Sequence, residues 1–107
     1  MVENKKFFIQ YWGSIANRKD TTSEMLDYFS QFDDYDCYDL PYAISRNKNS
    51  SAKALDNVIK NEPRDERVRS GVATHPNASA KTLRVLADDE KRYIRLLAMK
   101  HPNYKEI

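Results

Sequence analysis

The chain has 107 residues, with 18 Lys+Arg against 16 Asp+Glu, 40% hydrophobic residues, two Gly and one Cys. That length holds a single domain, 1–107, and one cysteine excludes an internal disulfide framework and suits a reducing compartment, so a cytoplasmic setting is expected. The uncharged stretch from Phe7 to Ala16 is too short to span a bilayer, and no apolar segment near the start reads as a secretory signal.

Charge is shared unevenly along the chain. Residues 1–19 hold four bases and one acid, residues 20–42 hold seven acids and no Lys or Arg, and residues 43–107 hold fourteen bases and eight acids. Ten of the twelve aromatic residues fall in 1–42, so the acidic block is also the aromatic one. The near-neutral total therefore conceals a polarised molecule.

From the N-terminus, the first predicted element is a helix over about Lys5 to Asn17, with Phe8, Ile9, Trp12 and Ile15 or Ala16 on one face. Thr22, Ser51 and Ser79 then stand where N-caps belong, each able to accept from an unpaired N–H in the first turn of a helix. Behind these caps lie Leu26/Phe29, Leu55/Val58/Ile59 and Leu83/Leu86/Ala87, at the spacing of an apolar helical stripe. A second helix follows in each case, carrying Leu40/Ala43/Ile44, Val68/Val72 and Ile94/Leu97/Ala98. Pro63, Pro76 and Pro102 mark junctions, because proline lacks an N–H and disfavours α conformation before it. Pro41 fits the first turn of its helix, where proline is tolerated. Two glycines and no useful apolar/polar alternation leave little case for strands.

These elements repeat. His75-Pro76-Asn77 returns as His101-Pro102-Asn103, Ser51-Ala52-Lys53-Ala54-Leu55 matches Ser79-Ala80-Lys81-Thr82-Leu83, and Val68-Arg69 matches Ile94-Arg95. Three units fit, 20–47, 48–74 and 75–100, after an N-terminal cap helix in 1–19 and before a C-terminal stub in 101–107. A helix pair of this size cannot bury its stripe alone, so neighbouring pairs must stack. The run Val72-Ala73-Thr74-His75-Pro76-Asn77-Ala78-Ser79-Ala80-Lys81-Thr82-Leu83-Arg84-Val85-Leu86-Ala87-Asp88-Asp89 resembles the bacterial leucine-rich-repeat variant and is similar to short HEAT-like repeats. The resemblance implies an all-α, short right-handed α-solenoid of about seven short helices, with one helix of each pair open to 3₁₀ geometry. It implies no catalysis. Some members of that family carry an iron–sulfur cluster on a separate cysteine-rich segment, which a chain with only Cys37 lacks.

Candidate sites follow from the same layout. His75 and His101 invite a metal reading, but equivalent positions in successive repeats fit a structural turn residue better, and nothing completes a tetrahedral ligand set. Asp33, Asp34, Tyr35, Asp36, Cys37, Tyr38 and Asp39 place oxygen ligands close together, without the Gly and distal Glu of an EF-hand loop. The plain reading is a solvated loop leading into a helix. Close behind it stands a docking surface, where Asp33, Asp34, Asp36 and Asp39 interleave with Tyr28, Tyr35, Tyr38 and Tyr42 to give steering charge and rigid contact area. Arg69 and Arg95 occupy matching points and are expected to pair with acids of their own or the adjacent layer. In the last helix, Tyr93, Leu96 and Met99 form a second apolar stripe, open unless Tyr104 and Ile107 cover it. Cys37 has no histidine in its repeat to activate it, and no glycine-rich phosphate loop is present.

The expectation is a non-catalytic protein-interaction module without a cofactor or metal. Its acidic Tyr-rich surface calls for a protein partner with a basic surface, and its apolar terminal helix could join two copies as a homodimer. No membrane is involved. The alternative is a nucleic-acid-binding helical-repeat module using the basic residues of 46–100, although acids are mixed among them and aromatic platforms are lacking.

Overall fold

The computed structural model describes residues 14–31, 39–61 and 63–105. The N-terminal helix is thus seen only at 14–16, and Phe7, Phe8, Tyr11 and Trp12 lie outside the described residues. Six α-helices follow: α1 (Ser23–Ser30), α2 (Asp39–Arg46), α3 (Ala52–Lys60), α4 (Glu66–Thr74), α5 (Ala80–Leu86) and α6 (Arg92–Lys100). No strand occurs among the described residues, so the chain is all-α.

The caps explain where the odd-numbered helices begin. Thr22, Ser51 and Ser79 accept hydrogen bonds from the N–H groups of Met25, Ala54 and Thr82 at 3.3, 3.1 and 3.2 Å. Asp65 does the same for α4, accepting from the Arg67 N–H at 2.9 Å. Pro41 sits within the first turn of α2, and Pro63 lies between α3 and α4. The 3₁₀ geometry allowed for one helix of each pair is not adopted in any of the six. Bonds four residues apart close the first turns of both helix types, as from Leu83 N–H to the Ser79 carbonyl (2.9 Å) and from Arg95 N–H to the Lys91 carbonyl (3.2 Å).

Each helix buries one stripe. Leu26 and Phe29, Leu40 and Ile44, Leu55 and Val58, Val68 and Val72, Leu83 and Leu86, and Ile94 and Ala98 join in one continuous core. Fully burying a side chain of this kind contributes about 1.5–3 kcal/mol relative to leaving it in water. The helices pack in two rows, α1–α3–α5 and α2–α4–α6, and consecutive helices bridge the rows. Close approach within a row is visible at Gly71 of α4. A Cβ there would lie 2.8 Å from Ser45 Oγ and 3.1 Å from Ser45 Cβ on α2, so the absence of a side chain leaves room for the Ser45 side chain against α4.

One edge of the array is a hydrogen-bonded ladder of turns. In the turn at 75–77, His75 Nδ1 accepts from the Asn77 N–H (3.0 Å), which leaves Nε2 as the N–H that donates to the Asn47 carbonyl one layer back (2.7 Å). His101 repeats both bonds, with the Asn103 N–H (3.0 Å) and the His75 carbonyl (2.7 Å). Asn47 does the same work with an amide: its Oδ1 accepts from the Asn49 N–H (2.9 Å), and its Nδ2 donates to the carbonyls of Ala16 (2.7 Å) and Arg18 (3.0 Å). The third residue of each turn also reaches back. Asn49 donates to Lys19 and Thr21, Asn77 to Ser50, and Asn103 to Pro76 and Ala78, all through carbonyls at 2.8–3.1 Å. Backbone groups that a buried turn would strand are thereby paired across layers.

Candidate functional site

Among the described residues, an exposed apolar row lies at the C-terminal end of the array, and it arises from how α6 is set. Asp89 Oδ1 accepts from the Lys91 N–H at 2.9 Å, starting the helix in place of a cap on Lys91 itself. Ile94 and Ala98 are buried and Leu97 packs half-buried against the core, which fixes the rotation of the helix. Tyr93, Leu96 and Met99 are then turned out, at 46%, 40% and 43% exposure, and Val85 of α5 is 56% exposed. Tyr104 packs against the core from the turn after α6, while Ile107 lies outside the described residues.

Electrostatics at this end are set by two arginines. Arg84 on α5 approaches the Lys105 carbonyl at 3.5 Å, and Arg95 on α6 donates to the Asp89 carbonyl at 2.6 Å. Arg95 occupies the position that Arg69 holds one layer back. There the guanidinium donates to the carbonyls of Pro63 (3.0 Å) and Arg64 (2.9 Å) and, through Nε, to Asp89 Oδ2 of the following layer at 2.7 Å. Arg69 and Asp89 are 12% and 6% exposed at the side chain, so this pair is largely screened from water. Among the described residues, the expected ladder of Arg–acid pairs thus has one interlayer rung, at Arg69. Asp65 pairs with Arg67, at 2.8 Å, rather than with Arg69, and among the described residues Arg95 meets a carbonyl and no acid.

The acidic, tyrosine-rich stretch is described only at its borders. Asp33, Asp34, Tyr35, Asp36, Cys37 and Tyr38 lie outside the described residues, and Asp39 is placed only as the first residue of α2. Tyr28 is exposed on α1. Tyr42 is flanked by two guanidinium groups, Arg46 at 5.3 Å and Arg67 at 5.2 Å from the ring centre. Its ring therefore lies in a cationic setting and not a purely acidic one.

His75 and His101 each use both ring nitrogens in the turn ladder, so neither has a lone pair left for a metal. Among the described residues no group of three His, Cys, Asp or Glu side chains comes together. Lys60 and Lys81 lie 3.2 and 3.9 Å from Asp56, and Arg67 and Arg69 are paired with acids. Lys48, Lys53, Arg64, Arg92 and Lys100 are exposed.

Sequence reasoning missed Asn47 as the counterpart of the histidines, although Asn47-Lys48-Asn49 stands 28 residues before His75-Pro76-Asn77. It also missed Asp27 and Asp56. Asp27 accepts from the hydroxyl of Ser51, the cap of the next layer, and Asp56 Oδ1 accepts from Thr82 Oγ1 at 3.1 Å. The matching acids on the two helices were the available signal.

Comparison with protein-family models, curated proteins and solved structures finds no match for this chain. No helix among the described residues is long and apolar enough to cross a membrane.

Proposed function

We propose that this chain is a non-catalytic protein-interaction module, an adaptor or an inhibitor-like binder, built as a short right-handed helical solenoid and working in the cytoplasm. The observation that carries the reading is the outward row Tyr93, Leu96 and Met99 on α6. Three large apolar side chains on one helix face form the kind of patch that marks an interface. The acidic stretch with Asp33, Asp34, Asp36 and Asp39 supplies a second contact region, suited to a partner with a basic surface.

A pull-down from the native host tests this with three baits: wild type, a variant with those four aspartates changed to Asn, and a Leu96→Ser/Met99→Ser variant. Each variant is expected to lose partners that wild type retains. An identical partner list for all three would overturn the reading. A mobility shift with duplex DNA or RNA at moderate salt would instead favour the nucleic-acid alternative, with Lys48, Lys53, Arg64, Arg92 and Lys100 as backbone contacts.

A further inference from the structure

We propose that the turn at 75–77 is an acid-sensitive latch between layers: a proton added to the His75 ring turns an acceptor into a donor, opens the turn and releases it from the turn before. His75 is 4% exposed, and both of its ring nitrogens are committed. Nδ1 accepts from the Asn77 N–H at 3.0 Å, and Nε2 donates to the Asn47 carbonyl at 2.7 Å. Only a neutral imidazole, with one lone pair and one N–H, makes both bonds. An imidazolium sets its new N–H against the Asn77 N–H and places a charge where water hardly reaches. The charge strengthens the bond to the Asn47 carbonyl, but that gain lasts only while two donors face each other at Nδ1. The ring is rigid, so turning Nδ1 towards an acceptor swings Nε2 off the Asn47 carbonyl. Asn77 belongs to the same turn, and its side chain holds the Ser50 carbonyl at 3.0 Å. Both bonds from this turn to the stretch 47–50 therefore depend on one lone pair.

The surrounding elements bring no acid to offset that charge among the described residues. The preceding turn carries exposed Lys48, and the segment behind it carries Arg18 and Lys19, with Asp20 already paired to Arg18 at 3.0 Å. The last turn of α4 holds no base, and the first turns of α3 and α5 carry exposed Lys53 and Lys81. Asp56 of α3 is engaged by Lys60 and Thr82. The following turn brings His101, whose Nε2 donates to the His75 carbonyl, and Lys100 stands exposed beside it. The rung at Asn47 shows the contrast. There an amide makes the equivalent bonds, to the Asn49 N–H and to the carbonyls of Ala16 and Arg18, and an amide takes up no proton in mild acid. Mild acid thus parts the array between 47–50 and 75–77 and leaves the Asn47 rung closed. An imidazole in water takes up its proton at about pH 6.5. The folded turn then binds fewer protons than the unfolded chain, so stability is full above that pH and is lost as pH falls below it.

The test follows urea unfolding of the full chain from pH 8 to pH 5, for wild type and for His75→Asn. Asparagine supplies the same donor and acceptor without a titrating group, as Asn47 does. Wild type is expected to lose stability below about pH 6.5, and between pH 6 and pH 5 its folding equilibrium should fall about tenfold more than that of His75→Asn. His101 makes the same two bonds from a more exposed place, so His101→Asn should flatten the profile less. Parallel profiles for wild type and His75→Asn would overturn the proposal, as would a larger effect of His101→Asn. Where His75→Asn does not fold, nitrogen NMR of the wild-type imidazoles decides the matter. Protonation of the His75 ring and loss of the folded Asn77 amide signal should then occur together. A protonated His75 ring beside an unchanged Asn77 amide would sink the latch.

Discussion

At the turn edge of this protein, neighbouring layers are tied by neutral hydrogen bonds, repeated at Asn47, His75 and His101. At the opposite, loop edge the tie seen among the described residues is the Arg69–Asp89 ion pair. The neutral tie can recur because each turn both gives and receives: its first residue donates backward, and its carbonyls accept from the turn ahead. An ion pair needs an acid in one layer and a base in the next, so it ends wherever either residue changes. Periodic stacking thus rests on the turns, whereas charge marks particular layers.

Breaking the largely buried ionic tie should have the largest effect. Arg69→Ala strands the largely buried Asp89 carboxylate and frees the carbonyls of Pro63 and Arg64. Loss of one partner from a buried pair costs about 3–5 kcal/mol. Arg69→Met together with Asp89→Asn removes both charges while keeping an oxygen for the Lys91 N–H, and should recover much of that loss, as measured by urea unfolding. A double variant no better than Arg69→Ala would show that the tie works through its carbonyl contacts and not its charge.

The neutral ladder should give way next. His75→Ala leaves the Asn47 carbonyl and the Asn77 N–H without their partners, at about 1–3 kcal/mol for each group that remains buried. His75→Asn should cost distinctly less, because Asn47 already performs both bonds with an amide at the equivalent point. Equal losses for the two variants would mean that ring packing, and not hydrogen bonding, makes the turn edge.

These two ties differed in how visible they were beforehand. Caps, stripes and prolines were legible because they act within a few residues. Ser51 and Ser79 sit beside the N–H groups they accept from, and Leu55 and Leu83 follow at fixed spacing. The backward bonds of the turns span 25–31 residues, and their chemistry survives a change of residue type, from Asn47 to His75. Matching letters found the two histidines and overlooked the asparagine that shares their role. The Arg69–Asp89 pair was foreseen as a type of contact, but Asp65 was the nearer acid in sequence. Its capture by Arg67 depends on side-chain direction, which spacing does not carry. At the candidate surface, Tyr93, Leu96 and Met99 followed from helical periodicity.

Asp65 lies in the same loop region and tests whether exposure separates the two kinds of Asp–Arg pair. The side-chain hydrogen bond from Arg67 holds its carboxyl below the usual aspartate range, with partial burial pulling the other way. A group lowered on folding binds fewer protons in the folded chain than in the unfolded one. Its contribution is therefore present above the ordinary aspartate pKa and fades as pH falls through that range towards the lower folded value. Because the Arg67 side chain is 70% exposed, the pair itself should add little, and it should weaken with salt. The cap is the larger part. Asp65→Ala should cost about 1 kcal/mol at neutral pH by exposing the start of α4, and Asp65→Asn, still a competent cap, only a fraction of that. Unfolding curves followed from pH 7 to pH 3 should show a shallower acid loss for both variants than for wild type. If Asp65→Asn were as costly as Asp65→Ala, the charge would matter at this exposed site as it does at Asp89, and the contrast between a screened and a solvated pair would fail.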